Sequence, residues 1–484
     1  LRNNIKPFAR RKVGKMLRRT RTRKLAIWSA LPPYLGGKRR LCGLIFREVD
    51  RILPRRHWPR MTFLDGFLGG GSVSLYAKAQ GFRVVATDIA ERSIAVGKAL
   101  IENSRVRLTH EDILRVAAPA EGPPGRIEQG YAPSTFTRAQ ARLLDRILAV
   151  AAETPDEAKG ALFRLVAIRV ALLAHPMSQV RPGTIHRLST GEYESITESC
   201  LYHYVDGLRL TRPEKLWELA RQINAGVFEG HARIVKANII DELPRLDADV
   251  AYLDPPYCSV MAYEREYKVI DEILEGSSRP TSPFTARDGA SMLDILFERA
   301  QHIPVWLLSY GNAVNEIEEI EAKMSRFGRS TRAIALRYQH LPAVATEEKK
   351  RDNREFLVVG WDPDAPLLRS ALLPKGGIAT ERVLDHLVTG VEMDPAEVDS
   401  ELAASPGGIV DLPEDRPSCL TEELSPNGGG LVPEAESRPD APETVFAKTI
   451  PDDGSERRVV GLGCHSNEYP IRLSGGQAEG RDAR

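Results

Sequence analysis

Short apolar runs that end abruptly in polar or glycine turns recur along the chain, and between them the apolar positions fall at helical spacing. Phe63-Leu64, Arg83–Asp88, Arg233–Asn238, Val250–Leu253 and Val305–Asn312 read as buried strands. Between and around them, Leu41, Leu44, Ile45, Val49 and Ile52, then Val73, Leu75, Tyr76 and Ala79, then Ile94, Val96 and Leu100, and later Leu216, Leu219 and Ile223, repeat every three or four residues as one face of a helix does. Two longer helical runs, 139–152 and 158–174, sit between the second and third strands, and Ala333–Tyr338 with Phe356–Trp361 reads as a closing hairpin. Strands alternating with helices predict an α/β protein with a largely parallel sheet. The charged and polar stretch Thr346–Glu355 is expected to be a mobile loop.

Composition divides this picture into parts. A chain of 484 residues is long for one compact domain, and at 42% hydrophobic residues it can bury at least one large core. The net charge of +1 conceals an uneven distribution, because Arg10, Arg11, Lys12, Arg18, Arg19, Arg21, Arg23 and Lys24 all precede the first acidic side chain, Glu48. Such a block repels itself and is expected to stay disordered until it meets a polyanion, of which nucleic acid is the natural example. Beyond residue 364, proline, glycine, serine and acidic residues dominate and aromatic anchors nearly vanish, so this stretch cannot offset its ordering entropy by burial. The five cysteines are scattered and never form a Cys-x-x-Cys pair, which argues against a disulfide framework and a zinc site. No apolar run reaches the roughly 20 residues of a membrane helix, and a soluble, cytoplasmic protein is expected.

Candidate chemistry gathers at strand ends. The run Val250–Leu253 stops at Asp254-Pro255-Pro256-Tyr257, which sets a carboxylate, a stiff turn and an aromatic ring where open α/β sheets bind ligands. That trio suits methyl transfer to an amine on a flat base: Asp254 accepts one N–H, the Pro255 carbonyl the other, and Tyr257 stacks on the ring. Cys258 follows Tyr257 rather than a proline and is not expected to be a nucleophile. Upstream, Phe63-Leu64-Asp65-Gly66-Phe67-Leu68-Gly69-Gly70-Gly71 is a strand and glycine turn leading into a helix. It lacks both the dinucleotide fingerprint and the phosphate loop, and an acid at the strand end suits a ligand carrying an ammonium group. Asp88 ends the next strand about 20 residues on, the position from which a carboxylate reaches ribose hydroxyls. The ligand so described is an adenosine with an amino-acid tail. Pro32-Pro33-Tyr34-Leu35-Gly36-Gly37-Lys38 adds a loop with a stacking face and a cation.

Taken in order, Pro33–Lys38, Phe67–Val73, Asp88 and Asp254–Tyr257 resemble the motifs of the Dam-like, alpha-type DNA adenine-N6 methyltransferases over roughly residues 30–362. The chain departs from that pattern at Asp65-Gly66-Phe67, where the family usually has Glu-Pro-Phe, and the inserted region is only loosely similar. The resemblance implies a Rossmann-like class I S-adenosylmethionine-dependent fold with a mostly helical target-recognition insert and disordered tails. Residues 1–24 would be a basic tail, 25–114 the cofactor half, 115–231 the insert, 232–363 the catalytic half and 364–484 the C-terminal tail. S-adenosylmethionine would be held by Tyr34, Lys38, Asp65, Phe67, Gly69, Gly70, Gly71, Asp88 and Asp254, with Asn238 and Ile239 flanking its adenine. Asp254, Pro255, Pro256 and Tyr257 would be catalytic, acting on an adenine flipped out of double-stranded DNA. Lys38 would lie near cofactor or target base. A monomer without metal is expected, and a cognate restriction enzyme is admitted as a partner.

The loop 175–187 within the insert is polar and proline-bent, and Gln179, Arg181 and Arg187 are its candidates for DNA contact. Tyr263, past the catalytic turn, is a second stacking candidate. Two other readings share these residues: an RNA adenine methyltransferase, because the turn does not sense a 2′-hydroxyl, and a catalytically inactive nucleic-acid-binding protein on the same fold.

Overall fold

The computed structural model describes residues 27–118, 122–175, 180, 182–183, 209–256, 266–276, 282–285, 291–311, 317–337, 354–371 and 409–411. The chain divides into two compact units, Leu1–Pro426 and Asn427–Arg484, and every described residue lies in the first. The basic segment 1–24 is outside the described residues.

A twisted sheet runs through this unit in the order β3-β2-β1-β4-β5-β7-β6-β8. Its strands are β1 (Thr62–Asp65), β2 (Arg83–Asp88), β3 (Ala232–Lys236), β4 (Val250–Leu253), β5 (Val305–Gly311), β6 (Ser330–Arg337), β7 (Arg354–Trp361) and the short β8 (Ile409–Asp411). β1 to β5 are mutually parallel, whereas β7 inserts antiparallel between β5 and β6. This is the Rossmann-like methyltransferase arrangement. The strand order reverses beside β1, which opens a crevice at the carboxyl ends of β1, β2 and β4.

Alternation along the strands builds a core on each face of the sheet. Phe63, Val84, Ala86, Val250, Tyr252, Leu357 and Val359 face one cluster; Leu64, Ala251, Leu253, Trp306, Leu308, Phe356 and Val358 face the other. Because both faces are covered, β4 and β5 are buried along their whole length, and they read in the sequence as continuous apolar runs. The helices Arg138–Glu153 and Glu157–Leu173 stand within a residue or two of the periodic runs that foretold them. Thr137 begins the first with a capping box to Gln140, and Asp156 caps the second through the Lys159 N–H. Leu162, Val166 and Val170 of the second helix join the same core as Val96 and Leu100, so this helix and the segment after β2 share one interior.

Two expected boundaries shift. Arg354 and Glu355 belong to β7 rather than to a mobile loop, and Glu355 is wholly buried; residues 346–353 are outside the described set. The fold also continues past Trp361, where Ala365 and Leu368, in and beside the helix Pro366–Ala371, are buried in the main core. A charged side chain gives no periodic signal of its own, and a two-turn helix is too short for one.

Candidate active site

The turn after β1 is pinned to both neighbouring strands. The Gly66 N–H donates to the Tyr252 carbonyl (2.9 Å), Leu68 N–H to the Thr87 carbonyl (3.0 Å), and the Thr87 hydroxyl to the Gly66 carbonyl (2.8 Å). The chain then needs left-handed backbone at Gly69 (φ 50°) and Gly71 (φ 79°), and the helix Ser72–Ala79 starts from the second of these. At the end of β2, Asp88 accepts the Gly69 N–H at Oδ2 (2.9 Å) and the Ala90 N–H at Oδ1 (2.8 Å). These bonds fix the carboxylate at the mouth of the crevice, and each oxygen retains a further lone pair for a ligand hydroxyl.

The crevice has a cavity volume of about 120 Å³ and opens to solvent. Nine residues singled out from the sequence line it: Tyr34, Phe67, Gly69, Asp88, Asn238, Ile239, Asp254, Pro255 and Pro256. Asp88 and Asp254 therefore share one cleft, reached from two different strands. Phe67 meets Phe284 edge to face at 5.1 Å, and with Ile239 these rings give part of the cleft an apolar wall. Asn238 turns its side chain back to cap its own short helix at the Ile240 N–H.

Four further expected ligand contacts are not among the residues that line this cleft. Asp65 is buried, accepting the Ser74 hydroxyl (2.7 Å) and the Phe67 N–H (3.3 Å), and burial pushes its carboxyl up to about 7 despite those two bonds. Gly70 faces Tyr34, and Gly71 faces Val96 and Ile101. Lys38 is buried beside the Asp254-Pro255-Pro256 turn. Its ammonium donates to Asp254 Oδ1 (2.9 Å) and the Gly36 carbonyl (3.1 Å) and pairs with Glu355 Oε1 (3.2 Å). Tyr257, Gln179, Arg181 and Arg187 are outside the described residues, as are Cys258 and Tyr263. Near the loop of the last three arginine and glutamine candidates, Val180 is buried and the Gly183 N–H donates to the Thr135 hydroxyl.

Several residues that shape the site gave no clear sign in the sequence. Tyr267 stacks on Tyr34 with centroids 5.0 Å apart, and its hydroxyl accepts the Leu35 N–H at 2.8 Å. Arg92 lies 4.5 Å over the Tyr267 ring and pairs with Asp271 from the helix Lys268–Glu275. Burial opposes the Arg92 charge, but Tyr34, Asp271 and Asp88 outweigh it and the guanidinium stays protonated. Arg92 thus joins the segment after β2 to the helix Lys268–Glu275, in contact with both tyrosines. The helical spacing of Val269, Ile270 and Ile273 was available as a signal for the second of these segments. Among the described residues no cluster of metal-ligating side chains occurs, and no helix is long and apolar enough to cross a membrane.

A cleft with a carboxylate at one strand end, an apolar wall and a second carboxylate beside two prolines fits a nucleoside-type ligand facing a planar amine. Comparison with known proteins agrees with this geometry. Residues 34–121 match the family model for the D12 class N6 adenine-specific DNA methyltransferase. The chain is also 28% identical over 341 residues, 67% of its own length and 95% of the relative's, to the Type II methyltransferase M2.HphI of Haemophilus parahaemolyticus. Over residues 34–121 the chain is thus similar to the D12 class N6 adenine-specific DNA methyltransferases, and over most of its length to a Type II methyltransferase.

Proposed function

We propose that this enzyme methylates the N6 amine of adenine in double-stranded DNA by direct transfer from S-adenosylmethionine, with Asp254 as the group that receives the amine. The observation that carries the reading is the single cleft lined by both Asp88 and Asp254. The residues fit the cofactor: Asp88 presents acceptors for ribose hydroxyls, while Phe67, Ile239 and Phe284 offer apolar surface to an adenine ring. When bound, the cofactor supplies an electrophilic methyl group on a sulfonium.

The chain's own residues then have three tasks. Asp254 and the Pro255 carbonyl accept the two N–H bonds of the target amine and draw its delocalised lone pair onto nitrogen, so no covalent enzyme intermediate is required. Pro255 and Pro256 hold that carbonyl and carboxylate in a fixed relation, since a proline ring removes backbone freedom. Tyr257 stacks on the extruded base and recovers part of the few kcal/mol that unpairing costs. Gln179, Arg181 and Arg187 contact the DNA from the insert, and residues 1–24 add non-specific attraction to phosphate. Likeness to a Type II methyltransferase supports a modification role beside a cognate restriction enzyme.

The deciding experiment incubates the protein with labelled S-adenosylmethionine and matched DNA and RNA pools, followed by nucleoside analysis. N6-methyladenine from duplex DNA is expected. Label only in RNA would favour an RNA enzyme, and cofactor-independent DNA binding without label would favour an inactive binding protein.

A further inference from the structure

We propose that Glu355 is a positioning residue for methyl transfer, acting through Lys38 on the Asp254 carboxylate. The inference rests on Asp254 being the group that receives the amine. An ammonium carries three N–H donors, and Lys38 Nζ lies within reach of three acceptors: Asp254 Oδ1 at 2.9 Å, Gly36 O at 3.1 Å and Glu355 Oε1 at 3.2 Å. Its backbone is tied as well, the N–H donating to the Ser72 hydroxyl and the carbonyl accepting the Cys42 thiol. Lys38 therefore has no slack, and one of its three anchors is a strand two places away from β4 in the sheet.

Glu355 reaches this place by strand register. It pairs with Gly311 of β5 and shares its face of β7 with Leu357 and Val359, the face that packs against the helix Cys42–Ile52 just after Lys38. Its exposure is 0%, while the Asp254 side chain, at 18%, opens to the cleft. A carboxylate taken wholly out of water costs several kcal/mol, and an apolar side chain would satisfy a central strand at that position equally well. The charge has a use at the other end of the trio. Two carboxylates share one ammonium, so Asp254 is held at a fixed point without being fully neutralised by Lys38, and it stays a strong acceptor for the amine. With Glu355 made neutral, the pairing of the Lys38 ammonium would shift toward Asp254, weakening that acceptor and loosening the hold on the lysine.

The test is Glu355→Gln in the full chain, with single-turnover methylation of duplex DNA, S-adenosylmethionine affinity by calorimetry, and the same substitution made in a Lys38→Met background. The single variant should lose about 10- to 100-fold in the transfer rate, the scale of a slightly misplaced reacting group, with cofactor affinity unchanged. In the Lys38→Met background the same change should cost about twofold or less, because the residue through which it acts is gone. A transfer rate equal to wild type in folded Glu355→Gln overturns the proposal. So does an equal loss in both backgrounds, which would mean a merely structural carboxylate. If Glu355→Gln does not fold, Glu355→Asp takes its place, keeping the charge but withdrawing it by one methylene; wild-type transfer there overturns the proposal, and slowed transfer with unchanged cofactor affinity supports it. A wild-type enzyme that makes no N6-methyladenine would instead overturn the reading of function, so the two failures are distinct.

Discussion

Gly70 turns its Cα toward Tyr34 so closely that a Cβ built on it would stand 2.6 Å from Tyr34 Cβ and 2.9 Å from Cγ. The glycine turn therefore admits the tyrosine that walls the cleft, and under the proposed function the cofactor contacts that wall. Gly70→Ala must displace Tyr34 together with its stacked partner Tyr267, at a cost of about 1–3 kcal/mol for overpacking. Cofactor affinity measured by calorimetry should fall by roughly 10-fold or more, the equivalent of about 1.4 kcal/mol per decade. Undiminished affinity in a folded Gly70→Ala protein would show that Tyr34 does not set the shape of the cofactor wall.

Asp65 gives a pH signature. Its carboxyl is raised to about 7 from an ordinary value of 3.8, chiefly by burial. The folded state therefore holds a proton that the unfolded state has lost between about pH 4 and 7, and stability contributed by this group falls as pH rises through that window. The decline amounts to roughly 4 kcal/mol if the whole shift is expressed. Asp65→Asn, which cannot ionise, should remove most of that slope, so the variant gains on the wild type from pH 4 to 7 and the difference is constant above pH 8. Denaturant titrations across this range provide the check, and parallel pH profiles for the two proteins would refute a protonated Asp65.

The C-terminal limit of the fold can be located by mutation. Leu368 is 5% exposed and packs in the main core, beyond the last long strand. Leu368→Ala should cost about 2 to 3 kcal/mol, as for other buried leucines. A chain ending at residue 363 should be less stable still, whereas one ending at 371 keeps both Ala365 and Leu368 and gives up the pairing of β8 with β6. Thermal melts of the three proteins should place the 363 truncation lowest; equal midpoints for both truncations would place the boundary at Trp361 after all.

What the sequence disclosed and what it withheld differ by physical cause. Asp88 and Asp254 were legible because each ends a buried apolar strand, and a carboxylate at such a place stands out against the run before it. The sheet was legible for the same reason. Glu355 was not, since it follows a string of charged residues and its burial depends on register with β5, a relation between distant segments that no local pattern encodes. Arg92 and Asp271 were hidden likewise: each looks like an ordinary helix charge until the fold brings them into one ion pair over Tyr267. The glycines form an intermediate case. Their number signalled a close approach at the turn, but only the packing shows that Tyr34 makes the approach at Gly70.

Asp254→Ala is the sharpest test of the chemistry. The substitution leaves β4 and both prolines in place and removes the carboxylate that, under the proposed function, draws the adenine lone pair onto nitrogen. Because that interaction strengthens as positive charge develops on the amine, its loss falls on the transition state more than on the bound complex. Removal of one preorganised group aimed at developing charge costs about 100-fold or more, and the single-turnover rate of N6-methyladenine formation should fall by at least that. Cofactor affinity should change far less, since Asp88 and the aromatic wall remain. One complication is specific to this fold: the variant leaves Lys38 still paired with Glu355, so the lysine can follow Glu355 away from the cleft. Asp254→Asn separates the two effects, because the amide keeps an acceptor near Lys38 yet presents no negative charge to the amine. Both variants should be slow to a similar degree. If Asp254→Asn retains near-normal transfer, the carboxylate charge is dispensable and hydrogen-bond alignment alone carries the step.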